Sequence, residues 1–325
     1  MTQSTAEPVV VVIGIELEPA EVLRIRDSFP DANVVYAPSD EELRRTIPTA
    51  DVLFGGRSTA DLLPLAPRLR WIQTYSAGID RLPLDDLARR SILLTNASGA
   101  HGAQIAENIL ALMLAFAVRI PALVRAQTNH AWIARTVDRE KFVLEGQTLL
   151  IAGLGGIGGS LARKAAALGL SVLGVRGRDL PPPAGVSEIV RPADLHAALG
   201  RADHVALCLP LTPETTGFLG EAELRAMKPT AYVYNVGRGE SIERESLLRA
   251  LREGWIGGAG LDVTDPEPLP SDDPLWDLQN IILTQHTSGA APDLDRRVTD
   301  IFAGNLRRFL KNEPLNNVVD YGRRY

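Results

Sequence analysis

Six residues, Gly153-Leu154-Gly155-Gly156-Ile157-Gly158, constrain this chain more than any other stretch. The apolar run 148–152 leads straight into them, and a segment of good helix formers (Leu161, Ala162, Ala165, Ala166, Leu168) leads out. A second apolar run, 171–175, completes a β-α-β unit. The three glycines of the pattern have separate reasons. Gly153 permits the tight turn, Gly155 lets the backbone approach a pyrophosphate, and Gly158 lets the helix pack on the strand. The N–H groups of Gly156 and Ile157 then stand at a helix N-terminus, where the dipole favours phosphate. The structural alternative is a β-turn-α unit that uses its glycines for the turn and the packing alone.

The end of the second strand bears on which dinucleotide is taken. An acid is expected there to accept from a ribose 2′-hydroxyl, but the chain reads Val175-Arg176-Gly177-Arg178-Asp179. Arg176, with Arg178 beside it, suits a 2′-phosphate and predicts NADP(H) as the preferred cofactor. NAD(H) is the alternative, with both arginines in solvent and Asp179 on the ribose.

The rest of the chain repeats the alternation. Runs 9–15, 33–36, 51–54, 71–74 and 92–94 read as strands, with helices at 19–29 and 39–46. The second helix opens on Ser39-Asp40-Glu41-Glu42, a capping box. One long apolar helix is expected over 102–130. Further strands follow at 148–152, 172–175, 204–209, 231–235, 259–263 and 281–284, then a closing helix over 293–311. Such alternation predicts an α/β protein with two doubly wound parallel-sheet domains, as does a length of 325 residues, too great for one ordinary core. Two such units imply a ligand cleft.

Composition narrows the function classes. The chain is 45% hydrophobic and 23% charged, with a net charge of −6 and no basic run, which argues against a nucleic-acid partner. Residues 1–8 carry no positive charge and no 18-residue apolar run occurs, so neither a secretory signal nor a membrane span is expected. Cys208 is the single cysteine and reads as a small core residue. A cytoplasmic protein is the expectation, and no metal site is read.

Three segments at predicted strand ends carry chemistry: Asn235-Val236-Gly237-Arg238-Gly239, the run from Asp262 through Asp265-Pro266-Glu267-Pro268, and Thr284-Gln285-His286-Thr287-Ser288-Gly289. Ligands of open α/β sheets bind at such ends. Reducing a ketone by hydride needs a proton donor for the developing alkoxide, a cation for an acidic substrate, and a group that keeps the donor charged. His, Arg and Glu are side chains of those kinds. Each also has a structural reading: an imidazole in a packed loop, an arginine capping a turn, a proline-flanked connector.

With these segments, Ser76-Ala77-Gly78-Ile79-Asp80, Ala106-Glu107-Asn108 and Leu209-Pro210-Leu211-Thr212-Pro213-Glu214-Thr215 make the chain resemble the D-isomer-specific 2-hydroxyacid dehydrogenase family over nearly its whole length. The resemblance implies a Rossmann cofactor domain, 101–289, inserted in a flavodoxin-like substrate domain, 1–100 plus 290–325. It implies reduction of small 2-oxo acids, glyoxylate- or hydroxypyruvate-like or larger, to D-2-hydroxy acids by NAD(P)H. In that reading His286 is the general acid, Glu267 hydrogen-bonds it and favours the imidazolium, and Arg238 binds the substrate carboxylate. The backbone at Ala77 and Gly78 holds the carboxylate's other side, and Tyr75 shapes the pocket, as Arg57 does. Asp262 orients the nicotinamide amide, and Leu209, Pro210, Thr212, Val236, Gly237 and Ser288 line the cofactor groove with Arg238 and His286. A homodimer through the cofactor domains is also implied. Two departures stand out: Asn108 where the family very often has His, and Gln285 where Pro is common. A corepressor-like, nucleotide-sensing scaffold of the same fold and a short phosphoglycerate dehydrogenase are the alternatives. Glu267 argues against a formate dehydrogenase, which pairs its His with Gln.

Overall fold

The computed structural model describes residues 7–56, 59–177 and 180–325, so Arg57, Arg178 and Asp179 lie outside the described residues. The chain divides into two compact units, Met1–Ala100 with Ala291–Tyr325, and His101–Ala290.

In the first unit β1 (Val10–Ile13), β2 (Asn33–Tyr36), β3 (Val52–Phe54), β4 (Trp71–Gln73) and β5 (Leu93–Thr95) form one parallel sheet, ordered β2-β1-β3-β4-β5. That is the flavodoxin-like order. Side-chain alternation along the strands builds a core on each face. Val12, Leu53, Ile72 and Leu94 pack with Leu43 and Leu87 of helices Asp40–Thr46 and Leu84–Arg89. Val11, Ile13, Val52, Phe54 and Trp71 pack with Val22 and Ile25 of Pro19–Ser28 and with Phe302 and Leu306 of Leu294–Leu310. The Phe54 and Phe302 rings stack at 4.3 Å. The capping box is present, with Ser39 Oγ accepting from Glu42 N–H at 3.3 Å.

The second unit carries β6 (Thr148–Ala152), β7 (Ser171–Val175), β8 (Glu188–Val190), β9 (His204–Leu207), β10 (Tyr232–Asn235), β11 (Gly258–Leu261) and β12 (Ile281–Leu283), all parallel, ordered β12-β11-β10-β9-β6-β7-β8. Strand order reverses between β6 and β9, so the loops leaving these two strands flank the switch point where such sheets bind ligands. Strand β8 was not expected from the sequence. Leu149, Ile151 and Ala206 face helices Gly102–Ala117 and Gly156–Ala167, while Leu150, Ala152, Val205 and Leu207 face the opposite core with Leu247 and Leu251 of Arg244–Glu253.

The single helix expected over 102–130 is two, Gly102–Ala117 and Ile120–Thr128, bent by 66°. Pro121 has no N–H for the Ala117 carbonyl, and its ring would crowd that carbonyl. The chain therefore turns at Arg119, at φ 63°, and the Ala117 carbonyl accepts from Phe142 N–H at 3.1 Å. Among the described residues no single helix is long and apolar enough to cross a membrane. Burial pushes the Cys208 thiol up to about 12, so it stays an unreactive thiol near neutral pH.

His204, at the start of β9, is 1% exposed. Nε2–H donates to Gln147 Oε1 at 2.6 Å, and Nδ1 accepts from the Tyr234 hydroxyl at 3.1 Å, an arrangement for the neutral ring. Burial lowers its pKa from 6.5 to about 4. The unfolded chain therefore binds a proton below pH 6.5 that the native state refuses until about pH 4. This histidine's contribution is complete above 6.5 and is lost as pH falls through that window. Urea unfolding should show a loss of about 2 kcal/mol from this residue between pH 8 and pH 5. In His204→Gln that component should vanish; an identical pH dependence in the variant would disprove the assignment.

Candidate active site

The glycine loop leaves β6 at Gly153, whose φ is +91° and whose added Cβ would stand 2.6 Å from the Cys208 carbonyl oxygen. At Gly158 an added Cβ would stand 1.9 Å from the Gly153 carbonyl oxygen. Gly155 differs: φ is −76°, and nothing in the protein lies within 4 Å of an added Cβ. Neither backbone strain nor protein packing requires glycine there, and the open space in front of the loop fits a pyrophosphate. The helix that begins at Gly156 has no side-chain cap, so the first-turn N–H groups, those of Gly156 and Ile157 among them, are available to an anion.

The other predicted cofactor residues follow neighbouring strands. Arg176 leaves β7 with its guanidinium donating to the carbonyls of Leu180 and Pro181. After β9, Leu209 and Pro210 lead into a turn closed by Thr215, whose Oγ1 donates to Pro210 O at 2.6 Å and accepts from Thr212 N–H at 2.8 Å. After β10, Val236 is buried and Gly237 lies against Leu209, an added Cβ standing 2.7 Å from its carbonyl oxygen. Asn235, 1% exposed, clamps the turn: Oδ1 accepts from Gly237 N–H at 3.1 Å and Nδ2 donates to Arg238 O at 2.7 Å. Sequence reasoning quoted Asn235 without giving it this role. Arg238 has extended backbone and donates from Nη1 to Gly237 O at 2.8 Å.

His286 and Glu267 meet. Nδ1 of the imidazole lies 2.9 Å from Oε2 of the carboxylate, and Glu267 Oε1 accepts from Thr264 N–H at 3.1 Å. The imidazole is 51% exposed. With Nδ1 on the carboxylate, Nε2 is the nitrogen left for a ligand. The Arg238 turn adjoins this loop, since an added Cβ at Gly239 would overlap the Thr264 carbonyl at 2.1 Å.

The resemblance puts Asp262 at the nicotinamide amide; here the residue is 2% exposed and its carboxylate is engaged by the protein itself. Oδ1 accepts from Thr284 Oγ1 at 2.6 Å and Thr287 N–H at 3.0 Å, and Ser288 donates from both N–H and hydroxyl. The Asp262 carbonyl accepts from His286 N–H at 2.5 Å. These bonds hold Gln285 and His286 at φ 53° and 56°, where non-glycine residues are uncommon. A second pair, His196 Nε2 to Glu223 Oε1 at 2.8 Å, was also missed by sequence reasoning. Glu223 there caps helix Glu221–Ala226 through Gly220 N–H, so a His–Glu contact alone is no signature of catalysis.

Tyr75, Ala77 and Gly78 belong to the first unit, in the loop leaving β4. Its carbonyls are occupied: Ser76 O accepts from Thr74 Oγ1 at 2.7 Å, Ala77 O from Asn96 Nδ2 at 3.1 Å, and Gly78 O from Ser76 Oγ at 2.8 Å. Among the described residues no acceptor engages the N–H groups of Ala77 and Gly78. A loop with acceptors taken and donors available suits an anion.

Residues 110–288 match the family model described as D-isomer specific 2-hydroxyacid dehydrogenase, NAD binding domain. Over 266 residues the chain is 35% identical to a glyoxylate reductase from Korarchaeum cryptofilum, covering 80% of this chain and 79% of that one. Among solved structures it is similar to a D-isomer specific 2-hydroxyacid dehydrogenase family protein from Aeromonas salmonicida, with TM-score 0.84 and 32% identity over 97% of this chain and 100% of that one. It is also similar to an NADPH-dependent glyoxylate/hydroxypyruvate reductase from Sinorhizobium meliloti, solved with NADP and sulfate, with TM-score 0.84 and 28% identity over 98% and 100%. The chain belongs to the D-isomer specific 2-hydroxyacid dehydrogenase family of NAD(P)-dependent oxidoreductases.

Proposed function

We propose that this chain reduces small 2-oxo acids to D-2-hydroxy acids, with NADP(H) as preferred cofactor and His286 as general acid. The observation that carries the reading is the 2.9 Å contact between His286 and Glu267 at strand ends of an NAD-binding unit. When bound, the reduced nicotinamide supplies the hydride that the carbonyl carbon accepts. Nε2 of His286 delivers the proton to the carbonyl oxygen, and Glu267, on Nδ1, orients the ring for that transfer. Arg238 takes the substrate carboxylate and polarises the carbonyl. The family resemblance also gives the loop 75–78, with the N–H groups of Ala77 and Gly78, to the substrate.

Gly153, Gly155, Gly156, Ile157 and Gly158 hold the pyrophosphate, and Leu209, Pro210, Thr212, Val236 and Gly237 line the groove. Arg176, with Arg178, takes the 2′-phosphate, a choice supported by the NADP-bound relative. The names of the similar reductases make glyoxylate and hydroxypyruvate the first substrates to try. Exposed apolar residues Leu114, Val118, Ile120, Val124 and Trp132 support the homodimer that the family resemblance implies.

Purified protein should oxidise NADPH with glyoxylate or hydroxypyruvate, followed by absorbance, and favour NADPH over NADH in kcat/KM by about tenfold. Arg176→Asp should remove that preference. No oxidation with glyoxylate, hydroxypyruvate, pyruvate or phenylpyruvate would defeat the reading; a tenfold preference for NADH would defeat its cofactor half alone.

A further inference from the structure

We propose that Asp295 is a positioning residue for substrate selection, fixing the side chain of Tyr75 at the start of the loop assigned above to the substrate. The inference rests on that reading of residues 75–78 and extends it to a residue that touches no ligand. The Tyr75 hydroxyl donates to Asp295 Oδ1 at 2.5 Å, and Asp295 Oδ2 accepts from Glu18 N–H at 3.0 Å. Asp295 lies in the first turn of Leu294–Leu310, where a carboxylate is favoured by the helix dipole. Burial, and then the neighbouring carboxylate, push ionisation of the phenol above its ordinary range, so Tyr75 remains a donor.

The same helix grips the chain on the other side of Tyr75. Asn305 Nδ2 donates to Gln73 Oε1 at 3.2 Å, and Gln73 Nε2 donates to Thr74 O at 3.0 Å. Gln73 and Asn305 are both 0% exposed, and Asn305 is itself fixed by Asn316, donating to its carbonyl at 3.0 Å and accepting from its N–H at 2.8 Å. The end of β4 is thus held through a buried amide network, while the ring that follows packs against the core around Phe54 and Phe302 and has its hydroxyl anchored by Asp295. The Tyr75–Asp295 bond anchors the hydroxyl end of a partly buried aromatic side chain, the kind of contact that sorts ligands by size.

A fixed ring gives a narrow pocket wall that suits a short 2-oxo acid. A ring released from Asp295 loses its contact with the short substrate and yields to a bulky one. Asp295→Ala should lower the ratio of kcat/KM for glyoxylate over phenylpyruvate by about tenfold, through KM, with kcat and the KM for NADPH little changed. Tyr75→Phe, which lacks the donor, should reproduce the ratio, and the double variant should be no worse than Asp295→Ala. Asp295→Asn keeps an oxygen acceptor and should restore the ratio to within about threefold of wild type; it also covers the case that alanine misfolds. An unchanged ratio in Asp295→Ala or Tyr75→Phe with turnover intact overturns the role of Asp295 alone. Equal losses for both acids and for NADPH overturn it too, since they mark a structural defect. Absence of turnover in the wild-type protein overturns the proposed reaction, and this role with it.

Discussion

His286→Ala should lower kcat by about three orders of magnitude while leaving the KM for NADPH within about threefold. The size follows from losing the proton donor proposed for the developing alkoxide, leaving water in its place. The selectivity follows from local structure. The imidazole is 51% exposed, so its removal opens no core cavity. Glu267 keeps its bond from Thr264 N–H, and the Asp262 carbonyl keeps His286 N–H, so the loop retains its frame. Thermal unfolding should therefore shift little. Steady-state kinetics checks the expectation, and a variant with kcat within tenfold of wild type would remove His286 from the chemistry.

Gly158→Ala and Gly159→Ala, adjacent in one helix, should act in opposite directions. At Gly158 the new methyl would lie 1.9 Å from the Gly153 carbonyl oxygen, which is backbone and can move only with the loop. Displacing the turn proposed to hold the phosphates by about 1 Å should cost about 10²-fold in kcat/KM for NADPH and destabilise the fold by about 1–3 kcal/mol. At Gly159 nothing stands within 4 Å of the added methyl, and the residue is helical. Alanine there should stabilise the cofactor-free protein by about 0.5–1 kcal/mol. Melting temperatures and NADPH titrations of the pair give the comparison. Two variants with the same sign of stability change would mean that the contact at Gly158 does not govern this turn.

The parts of this fold that were legible in the sequence are those with local signatures. Strand-glycines-helix at 148–168 needs only neighbours to be recognised, and the capping box at Ser39 lies within four residues. The strands read from the sequence carry continuous apolar or β-branched runs, as strands buried on both faces do. Strand β8, Glu188–Val190, opens on a charge and offers only two apolar residues, too short a run to stand out. The break at Arg119 was hidden by continuous apolar character on both sides, although Pro121 was the signal that could have found it. Side-chain geometry was less accessible. That Asp262 would be saturated by Thr284, Thr287 and Ser288, or that Tyr75 would meet Asp295 across 220 positions, depends on loops whose paths no local pattern specifies. The separation of 19 positions from Glu267 to His286 was bridged by the resemblance, because a histidine and a glutamate at that distance mean nothing by spacing alone.

The saturated carboxylate of Asp262 bears on where the barrier is lowered. Dipoles that must swing into place during a reaction spend part of their stabilisation on their own reorganisation. Here two successive left-handed residues and the ring they carry are oriented by bonds completed when the chain folds. The entropy of aiming the imidazole is thus settled during folding, and in the proposed reaction each turnover would start with the donor already directed.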